Sequence, residues 1–260
     1  MRRGIAAFPI AVLLVLSCLL SACNNSPDQI KPIQDRGQLR VGVKMDVPSF
    51  GYLNPETGEM EGIEVDLSRE IAKAILGNAN AIKFVSITAQ TRSALLNNGE
   101  IDIVIATFTI TEERKQSFNF SRAYFTDTIG YLVLNDARIT SGADLDNRAV
   151  GVAVASTAKD AFLKESVSLG ITTSMREYSS YPEIKAALVS GDIDAFIADK
   201  SILSGYLDDS CSLLDEGFNP QQYGIASKKE NDKLAQRIDS ILEEMEKDGR
   251  LAAILKQWGH

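Results

Sequence analysis

The 260-residue chain holds three cysteines, one histidine and one tryptophan, and its formal net charge is −8. Each scarcity excludes something. Cys18 and Cys23 lie in the first 23 residues, so Cys211 stands alone beyond them and has no partner for an intramolecular disulfide. The only histidine, His260, is the last residue, which leaves too few cysteines and histidines for a zinc cluster, and no metal site is expected. The shortage of positive charge argues against nucleic acid, whose phosphates need a basic stripe. Long apolar runs are missing except for Ile5 to Leu20, 16 residues, which is short for a membrane span. What is present is a chain 45% hydrophobic and 24% charged, enough for one large or two small packed domains.

The N-terminus reads as an export signal. Met1-Arg2-Arg3 is basic, the apolar run follows, and Leu20-Ser21-Ala22-Cys23 supplies a small-residue cleavage site. That tetrapeptide resembles the bacterial lipobox, in which the cysteine is lipidated, so residues 1–22 are expected to be a lipoprotein signal peptide and 23–36 a lipidated tether. Asn24 to Gln29 is polar throughout.

Strands and helices then alternate. Leu39 to Lys44 reads as a strand, Ile63 to Leu76 as a helix with apolar residues at helical spacing, and Ile82 to Ile87 as a strand. A short helix over 92–98 and a buried strand from Ile101 to Ala106 follow. Thr111 is then an N-cap with Arg114 in the first turn. Further strands are expected at 124–134, 149–153, 174–178, 193–197 and 223–229, with helices starting near Ser156-Thr157, Tyr181 and Asp232. The stretch LLNNGEIDIVIAT (95–107) lies on ALVSGDIDAFIAD (187–199) without a gap, and Val41-Gly42-Val43 echoes Val150-Gly151-Val152. This internal similarity predicts two α/β lobes that present their strand ends to a shared cleft, because ligands of open α/β sheets sit beyond the carboxyl ends of the strands.

The polar residues at those ends are Lys44, Thr107, Thr109, Arg114, Thr157 and Asp199, with Arg92 and Tyr181 starting helices near the same rim. A guanidinium with hydroxyls suits a carboxylate, and a carboxylate on the opposite lobe suits an ammonium. Together they describe an α-amino acid. Lys44 and Arg92 are surplus positive charge, which points to a second carboxylate on the ligand's side chain. Taken singly the same residues have plainer readings: Arg114 as a solvated first-turn residue, Asp199 as a helix cap, Tyr181 as a staple before Pro182, Phe50 as packing.

Several segments carry a resemblance. KMDVPSF (44–50), GIEVDL (62–67), ATFTITEERK (106–115), FNFSRAY (118–124), Asp199-Lys200-Ser201 and Trp258-Gly259 resemble the bacterial extracellular solute-binding proteins of family 3, the polar amino-acid receptors of ABC importers. The similarity runs from about Gln38 to the C-terminus, and the chain looks closest to aspartate/glutamate-binding members. The resemblance implies a two-lobed periplasmic-binding-protein fold (type II), each lobe a mostly parallel sheet flanked by helices, joined by a two-strand hinge. Lobe one would comprise 37–130 plus 224–260, and lobe two 131–223. It also implies that Arg114, Thr109 and Thr157 hold the α-carboxylate and that Asp199, with Thr107 nearby, takes the ammonium. Lys44, Arg92 and Tyr181 would read the side-chain carboxylate while Phe50 packs over the ligand. The implied protein is a lipid-anchored monomer without cofactor that hands its ligand to a membrane permease. Glutamine or another polar amino acid is the alternative ligand. From other classes, an adhesion or sensory lipoprotein and a dehydratase-like enzyme, for which Glu64 and Asp66 are the carboxylates to hand, are the rivals.

Overall fold

The structure is a computed structural model that describes residues 29–260. The leader, Cys23 and the start of the tether lie outside the described residues. The chain begins with α1 (Lys31–Arg36), β1 (Leu39–Val43), β2 (Asp46–Val47), β3 (Gly51–Leu53), β4 (Met60–Glu61) and α2 (Ile63–Leu76). It continues through β5 (Ile82–Ser86), α3 (Arg92–Asn97), β6 (Ile103–Val104) and α4 (Glu112–Ser117). The long strand β7 (Phe118–Leu134) leads into β8 (Ala149–Ala153), α5 (Ala158–Leu169), β9 (Ser174–Tyr178), α6 (Tyr181–Val189), β10 (Ala195–Asp199), α7 (Lys200–Ser204) and β11 (Cys211–Leu213). A second long strand, β12 (Phe218–Lys228), returns the chain to α8 (Asp232–Asp248) and α9 (Arg250–Gln257).

One continuous sheet runs β5-β1-β6-β12-β7-β10-β8-β9, with β11 on the side of β7. β1 is parallel to β5 and β6, and β8 is parallel to β9 and β10, so each half carries three parallel strands in the order second, first, third. The antiparallel pair β7 and β12 joins the halves. The internal similarity of the sequence thus appears as a repeated topology, with Thr107 just beyond β6 and Asp199 at the end of β10.

The repeat extends to packing. A Cβ added to Gly42 on β1 would lie 2.5 Å from Ile101 Cδ1, and one added to Gly151 on β8 would lie 2.5 Å from Ile193 Cδ1. Ile101 and Ile193 are themselves matched positions in the two similar segments. Glycine is needed in both central strands because the same isoleucine fills the space where a side chain would stand.

Leu39, Val41 and Val43 are fully buried, as expected of a parallel strand covered on both faces. α2 lays Ile63, Leu67, Ile71 and Ile75 on that layer and stops at Gly77, which takes the left-handed conformation and donates its N–H to the Lys73 carbonyl. Several features differ from the sequence reading: the strand expected over 101–106 is confined to Ile103–Val104, the one expected over 193–197 is Ala195–Asp199, and Cys211–Leu213 is an additional strand. Residues 31–36 of the expected tether form α1 instead, because Ile33 finds a buried seat. The small antiparallel sheet β2-β3-β4 has strands of two or three residues, too short to show alternation. β7 and β12 start six and five residues earlier than expected, since pairing with each other holds FNFSRA (118–123) and FNPQQ (218–222) extended although polar residues and Pro220 interrupt any strand pattern there.

Candidate functional site

The strand ends converge on a cavity lined by Lys44, Ala89, Arg92, Thr107, Thr109, Ser156, Thr157, Ala158, Tyr181, Ala198 and Asp199. Lys44 follows β1, Thr107 and Thr109 follow β6, Thr157 precedes α5, Tyr181 opens α6 and Asp199 ends β10. Seven of the nine residues singled out in the sequence therefore meet in one cavity, from both halves of the molecule.

Lys44 is 2% exposed, and its ammonium donates to Thr107 Oγ1 at 2.6 Å and to the Tyr181 hydroxyl at 2.9 Å. Burial, reinforced by the Arg92 charge, pushes its pKa down to about 8. Arg92 is 3% exposed and reaches the carbonyls of Ala106 and Ala155 at 3.4 and 3.5 Å, while its Nε has no hydrogen-bond partner. Its guanidinium lies 3.9 Å from the centre of the Phe108 ring. Burial, then the nearby Arg114, pushes its pKa down to about 9. Both cations are therefore held at a cost that an anion in the cavity would relieve.

On the facing side Asp199 is the cavity's only carboxylate. It sits at the N-cap of α7 but makes no cap bond; it accepts the Tyr223 hydroxyl at 2.5 Å instead. The capping role falls to Asp127, which accepts the Ser201 amide. Burial, with Asp127 acting in the same direction, pushes the pKa of Asp199 up to about 6 against the opposing Tyr223 hydrogen bond.

Thr107 is left-handed, at φ 42°. That conformation is unfavourable for a β-branched residue, and such strain gathers at functional sites. The Thr107 N–H donates to Glu64 Oε1.

Arg114 and Phe50 sit elsewhere. Thr111 caps α4 by accepting the Arg114 amide, as the sequence indicates, and the guanidinium donates to the Thr109 carbonyl at 2.8 Å and to Ala155 of the other half at 3.3 Å. Arg114 lines the larger outer groove that adjoins the cavity at Arg92 and Thr157, and burial pushes its pKa down to about 10. Phe50 was expected over a ligand. It is instead fully buried and outside the cavity lining, edge-on to Phe125 with ring centres 5.1 Å apart and close to Tyr223 and His260. An apolar ring with this aromatic cluster beneath it gains more from burial there than from facing a polar cavity.

Two residues escaped the sequence reading of the site. Gln221 Oε1 accepts the Thr109 hydroxyl at 2.8 Å and the Thr157 hydroxyl at 2.7 Å, joining the halves behind the cavity. It lies in the polar stretch NPQQ, which has no periodicity to mark it. Tyr223 was placed on a strand without a role for its hydroxyl.

The family model described as bacterial extracellular solute-binding proteins, family 3, matches residues 39–260. The chain is 36% identical over 256 residues to the ABC transporter glutamine-binding protein GlnH of Bacillus subtilis, covering 95% of this chain and 93% of that one. It is 41% identical over 213 residues to the glutamine-binding protein of Geobacillus stearothermophilus, covering 81% and 79%. The cysteine-binding protein of Campylobacter jejuni superposes with a TM-score of 0.82 at 26% identity, covering 90% of this chain and 93% of that one. The fold is the two-lobed type II periplasmic-binding-protein fold.

Proposed function

Because the chain belongs to the bacterial extracellular solute-binding proteins of family 3, and so serves as the binding subunit of an ABC amino-acid importer, we propose that its ligand is an acidic amino acid, L-glutamate or L-aspartate. The observation that carries this reading is the charge of the cavity wall. Lys44 and Arg92 are buried cations and Asp199 is the single anion among the lining residues. The Arg114 guanidinium and the buried Glu64 carboxylate stand just outside this lining and add one charge of each sign, so the excess stays at one positive charge, which a zwitterionic amino acid leaves uncompensated and a ligand of net charge −1 balances.

In this arrangement the ammonium of the ligand pairs with Asp199. The α-carboxylate takes the hydroxyls of Thr109 and Thr157 and the guanidinium of Arg114, which swings from its carbonyl partners. The side-chain carboxylate meets Lys44, Arg92 and the Tyr181 hydroxyl. Four or five charge-assisted hydrogen bonds of about 1.5–3 kcal/mol each are enough for micromolar binding, roughly 8 kcal/mol, after ordering costs. No residue in this scheme performs chemistry on the ligand.

Lobe one spans 37–130 plus 224–260 and lobe two 131–223, with the β7–β12 ribbon as the hinge. Closure of the lobes on the ligand shifts the open–closed population toward a form read by the membrane permease. The protein acts as an exported monomer anchored through lipid on Cys23.

A second reading, glutamine, is favoured by the names of the relatives from Bacillus subtilis and Geobacillus stearothermophilus. Calorimetric titration of the purified protein with glutamate, aspartate and glutamine separates the two. Tighter binding of the acids is expected. Tightest binding of glutamine would keep the receptor and replace the ligand, and silence toward all three would remove the amino-acid reading.

A further inference from the structure

Glu64 is fully buried beneath the cavity floor and is not part of the lining. It stands in the first turn of α2, whose positive N-terminal end favours an anion. Its Oε1 accepts both the Thr107 N–H and the Tyr124 hydroxyl, the latter at 2.7 Å, while Oε2 has no hydrogen-bond partner among the described residues. A buried carboxylate so incompletely satisfied is costly, and packing alone would be served better by an apolar side chain.

What the carboxylate does is visible one residue further on. The Thr107 amide donates to Glu64, and with φ held at 42° relative to that anchored amide the Thr107 hydroxyl accepts the Lys44 ammonium at 2.6 Å. Thr107 and Tyr181 are the two hydrogen-bond partners that aim Lys44 into the cavity.

We propose that Glu64 is a positioning residue for ligand specificity: by anchoring the Thr107 amide it fixes the hydroxyl that holds Lys44 toward the ligand's side chain. This rests on the reading above that Lys44 meets that side chain. Without the anchor, Thr107 relaxes to negative φ, its hydroxyl leaves Lys44, and the ammonium spreads over several orientations.

The test is a double-mutant cycle of Glu64→Met with Lys44→Met on the full-length protein. Dissociation constants for glutamate and glutamine and thermal unfolding are measured for each variant. Methionine matches the shape of glutamate, tolerates burial and accepts no hydrogen bond from the amide. Glu64→Met is expected to weaken glutamate binding about tenfold and glutamine binding by less than about threefold, and to add nothing once Lys44 is Met, because both changes remove the same interaction. Glu64→Gln, which keeps an acceptor for the Thr107 amide, is expected to stay within about threefold of the parent for glutamate.

Equal losses for both ligands, additive losses in the cycle, or Glu64→Gln as weak as Glu64→Met would each overturn the proposal. If Glu64→Met does not fold, the cycle of Thr107→Val with Lys44→Met carries the decision: additivity there means that Lys44 is not aimed through Thr107. The cycle is run on whichever amino acid binds tightest. A parent protein that prefers glutamine therefore overturns the acidic-ligand reading while the coupling of Glu64 to Lys44 is still measured.

Discussion

The Lys44 ammonium, which follows the first strand of one half, and the Tyr181 hydroxyl, which opens a helix of the other, are 2.9 Å apart across the cavity. The ammonium also lies 4.5 Å from the centre of the same ring. One contact thus joins the two halves and orients the Lys44 charge within the cavity.

Lys44→Met removes the charge and is expected to weaken glutamate binding about 30-fold or more while sparing glutamine. Tyr181→Phe removes only a hydrogen-bond partner and is expected to cost about 1 kcal/mol, near fivefold. Calorimetry on the two variants checks both the size and the order. Equal effects on glutamate and glutamine would place the ligand's side chain elsewhere.

Binding should be strongest between about pH 6 and pH 8. Asp199 must be ionised to take the ligand's ammonium, and burial holds its pKa up to about 6, so affinity falls as pH drops through that value. Lys44 must be protonated to meet a carboxylate, and burial holds its pKa down to about 8, so affinity for an acidic ligand falls as pH rises through that value. In Lys44→Met the alkaline limb should move up from about 8 toward the value of Arg92, about 9, and the acid limb remain.

The stability of the unliganded protein follows a different course. Between the ordinary aspartate value of 3.8 and about 6 the folded state binds more protons through Asp199, so this contribution to stability falls as pH rises across that window. Between about 8 and the ordinary lysine value of 10.5 the unfolded state binds more protons through Lys44, so this contribution rises with pH. Thermal unfolding without ligand and titrations with it should therefore show opposite trends near both values.

Much of the molecule was legible in its sequence, for identifiable reasons. Helix α2, strand β9 and helix α6 coincide with the expected 63–76, 174–178 and 181–189, since each has clear periodicity or a turn residue at its end. The gapless match of 95–107 with 187–199 indicated that Thr107 and Asp199 would occupy equivalent strand ends, and they do. What stayed hidden depends on contacts between distant segments. Gln221 reaches Thr109 across 112 residues and Thr157 across 64, and nothing local marks it. Phe50 lies close in sequence to Lys44, yet only the cluster of Phe125, Tyr223 and His260 fixes its ring in the core. Glu64 drew notice in the sequence merely as an acid to hand, because its link to Thr107 passes through the fold.

Gly62, immediately before α2, has φ 122°, and a Cβ there would lie 2.1 Å from the Phe50 carbonyl oxygen. The obstacle is backbone, which no rotamer change relieves. Gly62→Ala is expected to destabilise the protein by about 3–5 kcal/mol, combining strain and overlap. Gly58→Ala, at φ 72° with nothing within 4 Å, should cost only about 1–2 kcal/mol. Denaturant unfolding of the pair compares them, and equal losses would refute the close approach of Phe50 to the helix start.

The most direct test of the central claim is a crystal structure of the protein grown with L-glutamate. The side-chain carboxylate should lie within hydrogen-bond reach of Lys44 Nζ and the Arg92 guanidinium, with the ammonium on Asp199. A ligand whose side chain points into the outer groove, or whose α-carboxylate occupies the place beside Lys44, would contradict the account.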